Sequence, residues 1–351
     1  MPKFSIIIPT FNDDKYIKGC IDSILDSDFD DYEIIIVIDG STDDTVAILN
    51  SYILNDKITI IYQENSGAGK ARNNGIDKSS GEYILFVDAD DFLSPNALSV
   101  YNKILSTKEY DWIYTNAISF NENTKSETII GHNRSFFIEK DDVPGEFLKL
   151  YFDNSSLAPW GKLYKASIIK NNHLRFPDLR RSQDIVFNNT YVRYVHSIYV
   201  SDIITYRFRN TLSEKKTYKD IKSRRNDYRF IEAQRNHLKT IIIVFESLND
   251  TLLSFGYECS LKEKEELNNS FLLSVYNSFS NISKRGRSFV FELLKNAKQD
   301  EKIIHKVKSA RPSKFHLKLF KYFFLKRQKR LLALMFSFDN NFHSLLKKVF
   351  K

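Results

Sequence analysis

The sequence predicts an α/β fold, a mostly parallel sheet flanked by helices, followed by a mainly α-helical carboxy-terminal region. Three observations carry this. Over the first 120 residues, β-branched apolar runs alternate with segments that repeat apolar residues at helical spacing, the pattern of strands joined by crossover helices. The strand runs are close to continuously apolar, as a sheet covered on both faces requires. Beyond about residue 215 glycine and proline nearly vanish (Gly256, Gly286 and Pro312 remain), and long charged-apolar helical patterns take over.

Element by element, Phe4 to Ile8 reads as a first strand ended by Pro9. Residues 13–27 place Ile17, Cys20, Ile21, Ile24 and Leu25 on one helical stripe. Glu33 to Ile38 is a second strand, and Ser41-Thr42-Asp43-Asp44 is a helix-start signature before Val46, Ile48 and Leu49. Ile58 to Tyr62 is a third strand, Gly67 to Lys78 a helix, Tyr83 to Val87 a fourth strand and Trp112 to Phe120 a fifth. Residues 121–150 read as polar and irregular, with a break from Gly131 to Arg134, and 151–210 as a mixed segment with Trp160 and Pro177. The domain boundary is expected at 212–220, giving an α/β domain over 1–215 and a helical, basic domain over 216–351. Asn226 to Asn249 and parts of 261–300 read as long helices.

Composition sets the class. In 351 residues, 28 phenylalanines and 19 tyrosines against 11 glycines and 7 prolines describe an ordered, aromatic-rich globule rather than a disordered chain. Two distant cysteines, Cys20 and Cys259, form neither a disulfide framework nor a metal-ligand spacing, and they fit a reducing compartment. The amino-terminal run reads as a strand and not as a signal-peptide core. No stretch of about 18 apolar residues suggests a membrane span. The net charge of +8 is local: from Arg311 to Lys351 there are 11 basic residues and one acid, Asp339, so the remainder is net −2. That distribution excludes a uniformly basic nucleic-acid binder. The last stretch, from Lys314 to Phe336, mixes cations with Phe, Tyr and Leu. It suits an anionic membrane surface, with a helical cap packed on the first domain or on a second subunit as the alternative.

In open sheets of this kind, ligands bind beyond the carboxyl ends of the strands. Those positions hold Pro9-Thr10-Phe11-Asn12, Asp39-Gly40-Ser41-Thr42-Asp43, Glu64-Asn65-Ser66-Gly67 and Asp88-Ala89-Asp90-Asp91. Three carboxylates within four residues repel one another unless a cation sits among them, and hard divalent ions take carboxylate oxygen together with substrate phosphate; a solvated turn or helix cap is the structural alternative. Asp39 ends an apolar strand, either capping the next helix or accepting from the N–H of a uracil ring, with Thr10 and Phe11 beside the same base. The segment from Asn65 to Gly75 offers small residues and backbone N–H groups at a helix start, where anions bind. Lys70 and Arg72 there would neutralise a diphosphate or line a solvated helix face. The glycines make neither a P-loop nor a dinucleotide fingerprint.

PTFN, VIDGSTD, ENSGAGKARNNGI and GEYILFVDADD, in this order, resemble family 2 of the glycosyltransferases, which have the GT-A (Rossmann-like) fold. The resemblance is strong over 3–120 and continues more loosely to about 210 through PWGKLYK and RRSQDIVFN. It implies an inverting, divalent-metal-dependent transferase that uses a UDP-sugar and Mn²⁺ or Mg²⁺. The acceptor would be a glycan or lipid-linked hydroxyl in surface polysaccharide synthesis. The enzyme would be cytoplasmic and peripheral at the inner face of the membrane through 311–351, with a homo-oligomer open to it and no nucleic-acid partner. The implied nucleotide-sugar site comprises Pro9, Thr10, Phe11, Asn12, Asp39, Lys70, Arg72, Asp88, Ala89 and Asp90. Within it Thr10 and Asn12 lie near the base, and Ile38 replaces the first aspartate of the usual pair before Asp39. Arg72 faces the donor phosphates, Asp90 and Asp91 stand nearest the metal, and Asp88 faces the ribose or shapes the loop. Asp184 matches the general base, although Gln183 replaces the acid common before it, and a helix N-cap is its structural alternative. Trp160 matches the acceptor-side aromatic or fills core. A nucleotidyltransferase would show a glycine-rich loop after the first strand, which PTFNDD lacks. A degenerate binding module would not need the base.

Overall fold

The computed structural model describes residues 1–155, 157–210, 228–283, 297 and 300–326. It divides into two compact units, 1–212 with 251–257 and 213–250 with 258–351. The boundary expected at 212–220 lies outside the described residues.

The first unit opens with β1 (Phe4–Thr10), α1 (Ile17–Leu25), β2 (Tyr32–Asp39), α2 (Thr45–Leu49), β3 (Ile58–Gln63), α3 (Ala68–Lys78) and β4 (Tyr83–Phe86). These four strands are parallel in the order β3-β2-β1-β4. Every residue of β1 is buried. Phe4, Ile6 and Ile8 join Ile34, Ile36 and Ile38 of β2 and Ile17, Cys20, Ile21 and Ile24 of α1 in one core, while Ile7 turns to the opposite face. There α3 lies so close that a methyl group on Gly75 would overlap Ile7 Cγ2. A strand covered by helices on both faces carries no polar alternation, which is why these runs are continuously apolar.

The unit continues with β5 (Phe92–Leu93), α4 (Ala97–Thr107), β6 (Trp112–Phe120), β7 (Glu127–Ile130), β8 (Phe136–Glu139), α5 (Val143–Phe152), β9 (Lys162–Lys165), α6 (Ala166–Asn171), α7 (Gln183–Tyr191) and β10 (Ser197–Arg209). Here the sheet becomes mixed. β9 runs antiparallel between β4 and β6. β10 is parallel to β6 and antiparallel to β5 and β8, and β7 pairs antiparallel with β6. The stretch 121–150, expected to be irregular, thus holds two strands and a helix. All four residues of β7 are exposed and β8 buries only Ile138, so neither strand has a core face to imprint an alternating pattern.

In the second unit the described helices are α8 (Tyr228–Ser254, to residue 250), α9 (Leu261–Ser283), α10 (Glu301–Ser309) and α11 (Phe315–Leu325). Asp300 caps α10 by accepting from the N–H groups of Lys302 and Ile303. Phe245 of α8 meets Phe271 of α9 edge-on at 5.2 Å, and Tyr276 meets Phe320 at 5.5 Å. Among the described residues no helix is long and apolar enough to cross a membrane. The part of the basic segment beyond residue 326 lies outside the described residues.

Candidate functional site

The parallel register brings the carboxyl ends of β1, β2 and β4 together. Side-chain bonds then stitch the loops that leave them. Asp13, just past β1, accepts from Thr10 Oγ1 at 3.0 Å and from the Phe11 N–H at 2.9 Å. Asn12, held at φ 57°, accepts from the Thr42 N–H at 2.8 Å and donates its own N–H to Ser41 Oγ at 3.1 Å. Pro9 and Thr10 are buried within the strand end, whereas Phe11 stands 45% exposed beside them.

Asp39 is buried. Its Oδ1 accepts from Gln63 Nε2 and the Ser66 N–H, both at 2.7 Å, and its Oδ2 from the Gly67 N–H at 2.8 Å. The carboxylate therefore shapes the loop between β3 and α3, and a carboxylate oxygen with one accepted bond retains a second lone pair. Gly40 has φ 72°, and a Cβ there would meet the Asn65 backbone nitrogen at 2.8 Å, so the turn requires glycine. Gly69 lets the amino-terminal end of α3 approach Gln183 and Phe176.

Arg72, buried on α3, donates from Nη2 to Asp88 Oδ1 at 2.7 Å, and its guanidinium lies 5.4 Å from the Phe176 ring centre. Its Nε is buried and has no hydrogen-bond partner among the described residues. Lys70, two positions earlier on the helix, is exposed and pairs with Asp178 at 3.4 Å. Of the two cations in this segment, only Arg72 is fixed against the aspartate loop.

The aspartate loop closes around Tyr206 of β10. The Asp88 N–H donates to the Tyr206 hydroxyl at 3.1 Å, and that hydroxyl donates to Asp91 Oδ2 at 2.7 Å. Asp91 Oδ1 accepts the Arg209 N–H at 2.7 Å, and Arg209 Nε donates to the Asp90 carbonyl at 2.7 Å. The Arg209 side chain is further held by Glu122 and by the rings of Tyr16, Phe92 and Phe120. Asp91 is 1% exposed, with both oxygens already accepting from the protein, while Asp88 and Asp90 are partly exposed. Burial and the neighbouring Asp88 push the Asp91 carboxyl up to about 8 against those two donors. The Asp90 carboxyl is raised by burial, then by Asp88 and Asp13, and the Asp13 carboxyl is raised by burial, with Asp43 and Asp88 adding to it. Ala89 is buried beneath the loop.

Asp184 sits in the first turn of α7 and accepts from the Ile185 N–H at 3.0 Å. Burial raises its carboxyl, Arg72 opposes that and Asp88 adds to it, so all three groups share one electrostatic neighbourhood. Trp160 stacks on Tyr206 at 5.0 Å with 7° between the planes and on Phe208 at 5.4 Å. Sequence reasoning missed Asp13, Gln63, Tyr206 and Arg209. The last two belong to β10, which only strand pairing brings to the aspartate loop, and no spacing in the sequence signals it.

Residues 5–171 match the model of glycosyl transferase family 2. They form a family 2 glycosyltransferase domain. GlyA of Streptococcus pneumoniae is 31% identical over 215 residues, covering 59% of this chain and 31% of GlyA. EpsH of Bacillus subtilis is 28% identical over 268 residues, 70% of this chain and 76% of EpsH. The poly(ribitol-phosphate) β-N-acetylglucosaminyltransferase TarS of Staphylococcus aureus is 31% identical over 192 residues, 53% of this chain and 32% of TarS. The chain thus spans about a third of the length of GlyA and TarS. In structure, residues 1–349 of S. aureus TarS, solved in complex with UDP-GlcNAc, superpose with a TM-score of 0.66 at 20% identity, covering 95% of this chain and 90% of that one. The family 2 domain here therefore has the GT-A fold.

One further network holds the loop that carries Trp160. Lys162 of β9 is buried and donates from Nζ to the carbonyls of Ala158 at 2.6 Å and Trp160 at 3.5 Å. Asn188 of α7 donates to the Leu157 and Ala158 carbonyls at 3.2 and 3.1 Å. The loop that carries Trp160 is thereby tied to the helix that carries Asp184.

Proposed function

We propose that the chain is an inverting glycosyltransferase that moves a hexose or N-acetylhexosamine from a UDP-sugar to a hydroxyl of a glycan or lipid-linked acceptor, in the synthesis of a bacterial-type surface polysaccharide. The observation that carries this is the convergence of Arg72, Asp88 and Asp184 at the carboxyl ends of the parallel strands. A cation for the leaving diphosphate and a carboxylate for the acceptor proton are what such a transfer needs. The UDP-GlcNAc complex of TarS supports a nucleotide-sugar donor.

Phe11 flanks the uracil, with Thr10 and Asn12 setting its loop, and the free lone pair of Asp39 Oδ2 accepts from the ring N–H. Arg72 faces the diphosphate through its unpartnered Nε, and Lys70 adds charge at the rim. Trp160 forms the acceptor wall. Asp184 takes the proton from the acceptor hydroxyl as that oxygen attacks the anomeric carbon from the face opposite the diphosphate, and a single displacement inverts the centre.

The donor set fits a hard divalent ion. Asp88 and Asp90 present oxygen only, and the Asp90 carboxyl is raised by burial and then by the neighbouring Asp88. Among the described residues no group of three or more Asp, Glu, His or Cys is arranged to hold a metal by itself. The fit is to an ion shared with the diphosphate, with Asp91 behind it holding the loop. Mn²⁺ or Mg²⁺ bound there supplies charge neutralisation to the leaving group. The basic segment 311–351 binds anionic headgroups at the inner face of the cell membrane.

UDP release from a panel of UDP-sugars, with Mn²⁺, Mg²⁺ or EDTA, tests the reading. One sugar turned over only with metal, and lost in Asp90→Ala and Asp184→Ala, supports it. No hydrolysis and no UDP binding by calorimetry would sink it.

A further inference from the structure

We infer that Tyr206 is a positioning residue that couples the acceptor wall at Trp160 to the aspartate loop of the donor site, so that the affinity for a metal-bound nucleotide depends on the indole. The inference rests on the donor-site reading above. Tyr206 is 1% exposed and has two faces of contact that point to different parts of the site. Its hydroxyl sits inside the Asp88–Asp91 turn, accepting from the Asp88 N–H at 3.1 Å and donating to Asp91 Oδ2 at 2.7 Å. The same turn is closed by the Asp91 N–H donating to the Asp88 carbonyl at 3.0 Å. One hydroxyl thus fixes both ends of the loop. The ring of Tyr206 lies flat against Trp160, 7° from parallel.

The backbone reinforces the coupling. Tyr206 pairs with Leu93 and Arg207 with Phe92 in the antiparallel contact of β10 with β5, and the Ser94 N–H donates to the Thr205 carbonyl at 2.9 Å. The chain on the far side of the aspartates is therefore anchored to the same strand. The loop cannot shift without moving the phenol, and the phenol cannot tilt without breaking its stack on the indole. Groups that orient a metal-binding carboxylate from behind change metal affinity without touching the metal.

The test is calorimetric titration of Mn²⁺ and UDP into the full chain and its variants, with near-UV circular dichroism to confirm folding. Tyr206→Phe keeps the ring and removes only the hydroxyl. We expect it to weaken UDP binding in the presence of Mn²⁺ by about ten- to a hundredfold. Trp160→Ala should weaken the same binding in the parent protein but add little in the Y206F background, because contacts in one chain of coupling are not additive. Trp160→Phe, which keeps a ring on the phenol, should restore most of the affinity. Unchanged UDP affinity in Y206F, or losses in Y206F and W160A that multiply, overturns the coupling while leaving the donor site in place. Absence of UDP binding by the unmodified protein overturns both.

Discussion

The buried Arg72 and the partly exposed Asp88 form an ion pair in which Nη2 meets Oδ1 at 2.7 Å, while Nε of the same guanidinium has no partner among the described residues. A guanidinium half-satisfied by protein is prepared for a second anion, since its fork presents parallel donors that suit a phosphate. Removing it should cost more than a surface charge would. Arg72→Ala should lower UDP release about a hundredfold, with UDP affinity falling alongside. Arg72→Lys should recover little, because a lysine ammonium cannot hold Asp88 and a phosphate in one plane. Full activity in the lysine variant would remove the geometric argument and leave only charge.

The glycines of the same helix serve packing. A methyl group on Gly75 would overlap Ile7 Cγ2 in the fully buried β1. Neither partner has room to move, because Ile7 sits in a strand paired on both sides. Gly75→Ala should therefore destabilise the domain by about 1–3 kcal/mol, despite the better helix propensity of alanine. Urea unfolding at constant m-value measures this. A stabilised variant would mean that α3 can slide outward.

Part of this site is legible in the sequence, and the reason is physical. β1, β2 and β4 are buried along nearly their whole length and turn sharply into loops, so their apolar runs end abruptly in Thr10, Asp39 and Asp88. Those positions are found by reading the residue at which each apolar run stops. Tyr206 and Arg209 are not found that way. They lie more than a hundred positions along the chain from the aspartates they hold, and only the antiparallel contact of β10 with β5 brings them there. Asp91 shows the same limit. As a residue type it equals Asp90, and only its burial and its two donors separate a carboxylate that holds the loop from one at its surface.

Lys162 gives a prediction about stability. Burial drives its ammonium down to about 7 from an ordinary 10.5, with Asp184 and Asp153 opposing the shift. Between those values the unfolded chain holds a proton that the folded chain has released, so stability rises with pH across the window. Asp91, raised to about 8, acts in the opposite sense only below that value: its folded form keeps a proton that the unfolded chain loses, and the associated stability disappears as pH climbs to 8. Above pH 8 the Lys162 slope should stand alone of the two. Denaturation midpoints should increase from about pH 8 to 9.5 in the parent and lose most of that slope in Lys162→Met. Equal slopes in both proteins would show that the buried ammonium keeps its proton.

Asp184 gives the corresponding prediction about activity. A general base must be ionised to accept a proton, so the rate should fall as pH drops through its pKa. Burial lifts that carboxyl above its ordinary 3.8, and Asp88 lifts it further, while Arg72 holds it down. The acidic limb of UDP release should therefore lie above that ordinary value. It should move to still higher pH in Arg72→Gln, where the restraining charge is gone. It should move down in Asp88→Asn, where the repelling charge is gone, even though that variant also weakens donor binding. A profile of kcat at saturating donor separates the two effects, because binding losses fall on KM while the limb reports the base. If both variants keep the parent limb, Asp184 is not the group that titrates, and its carboxylate in the first turn of α7 is left with a favourable interaction with the helix dipole.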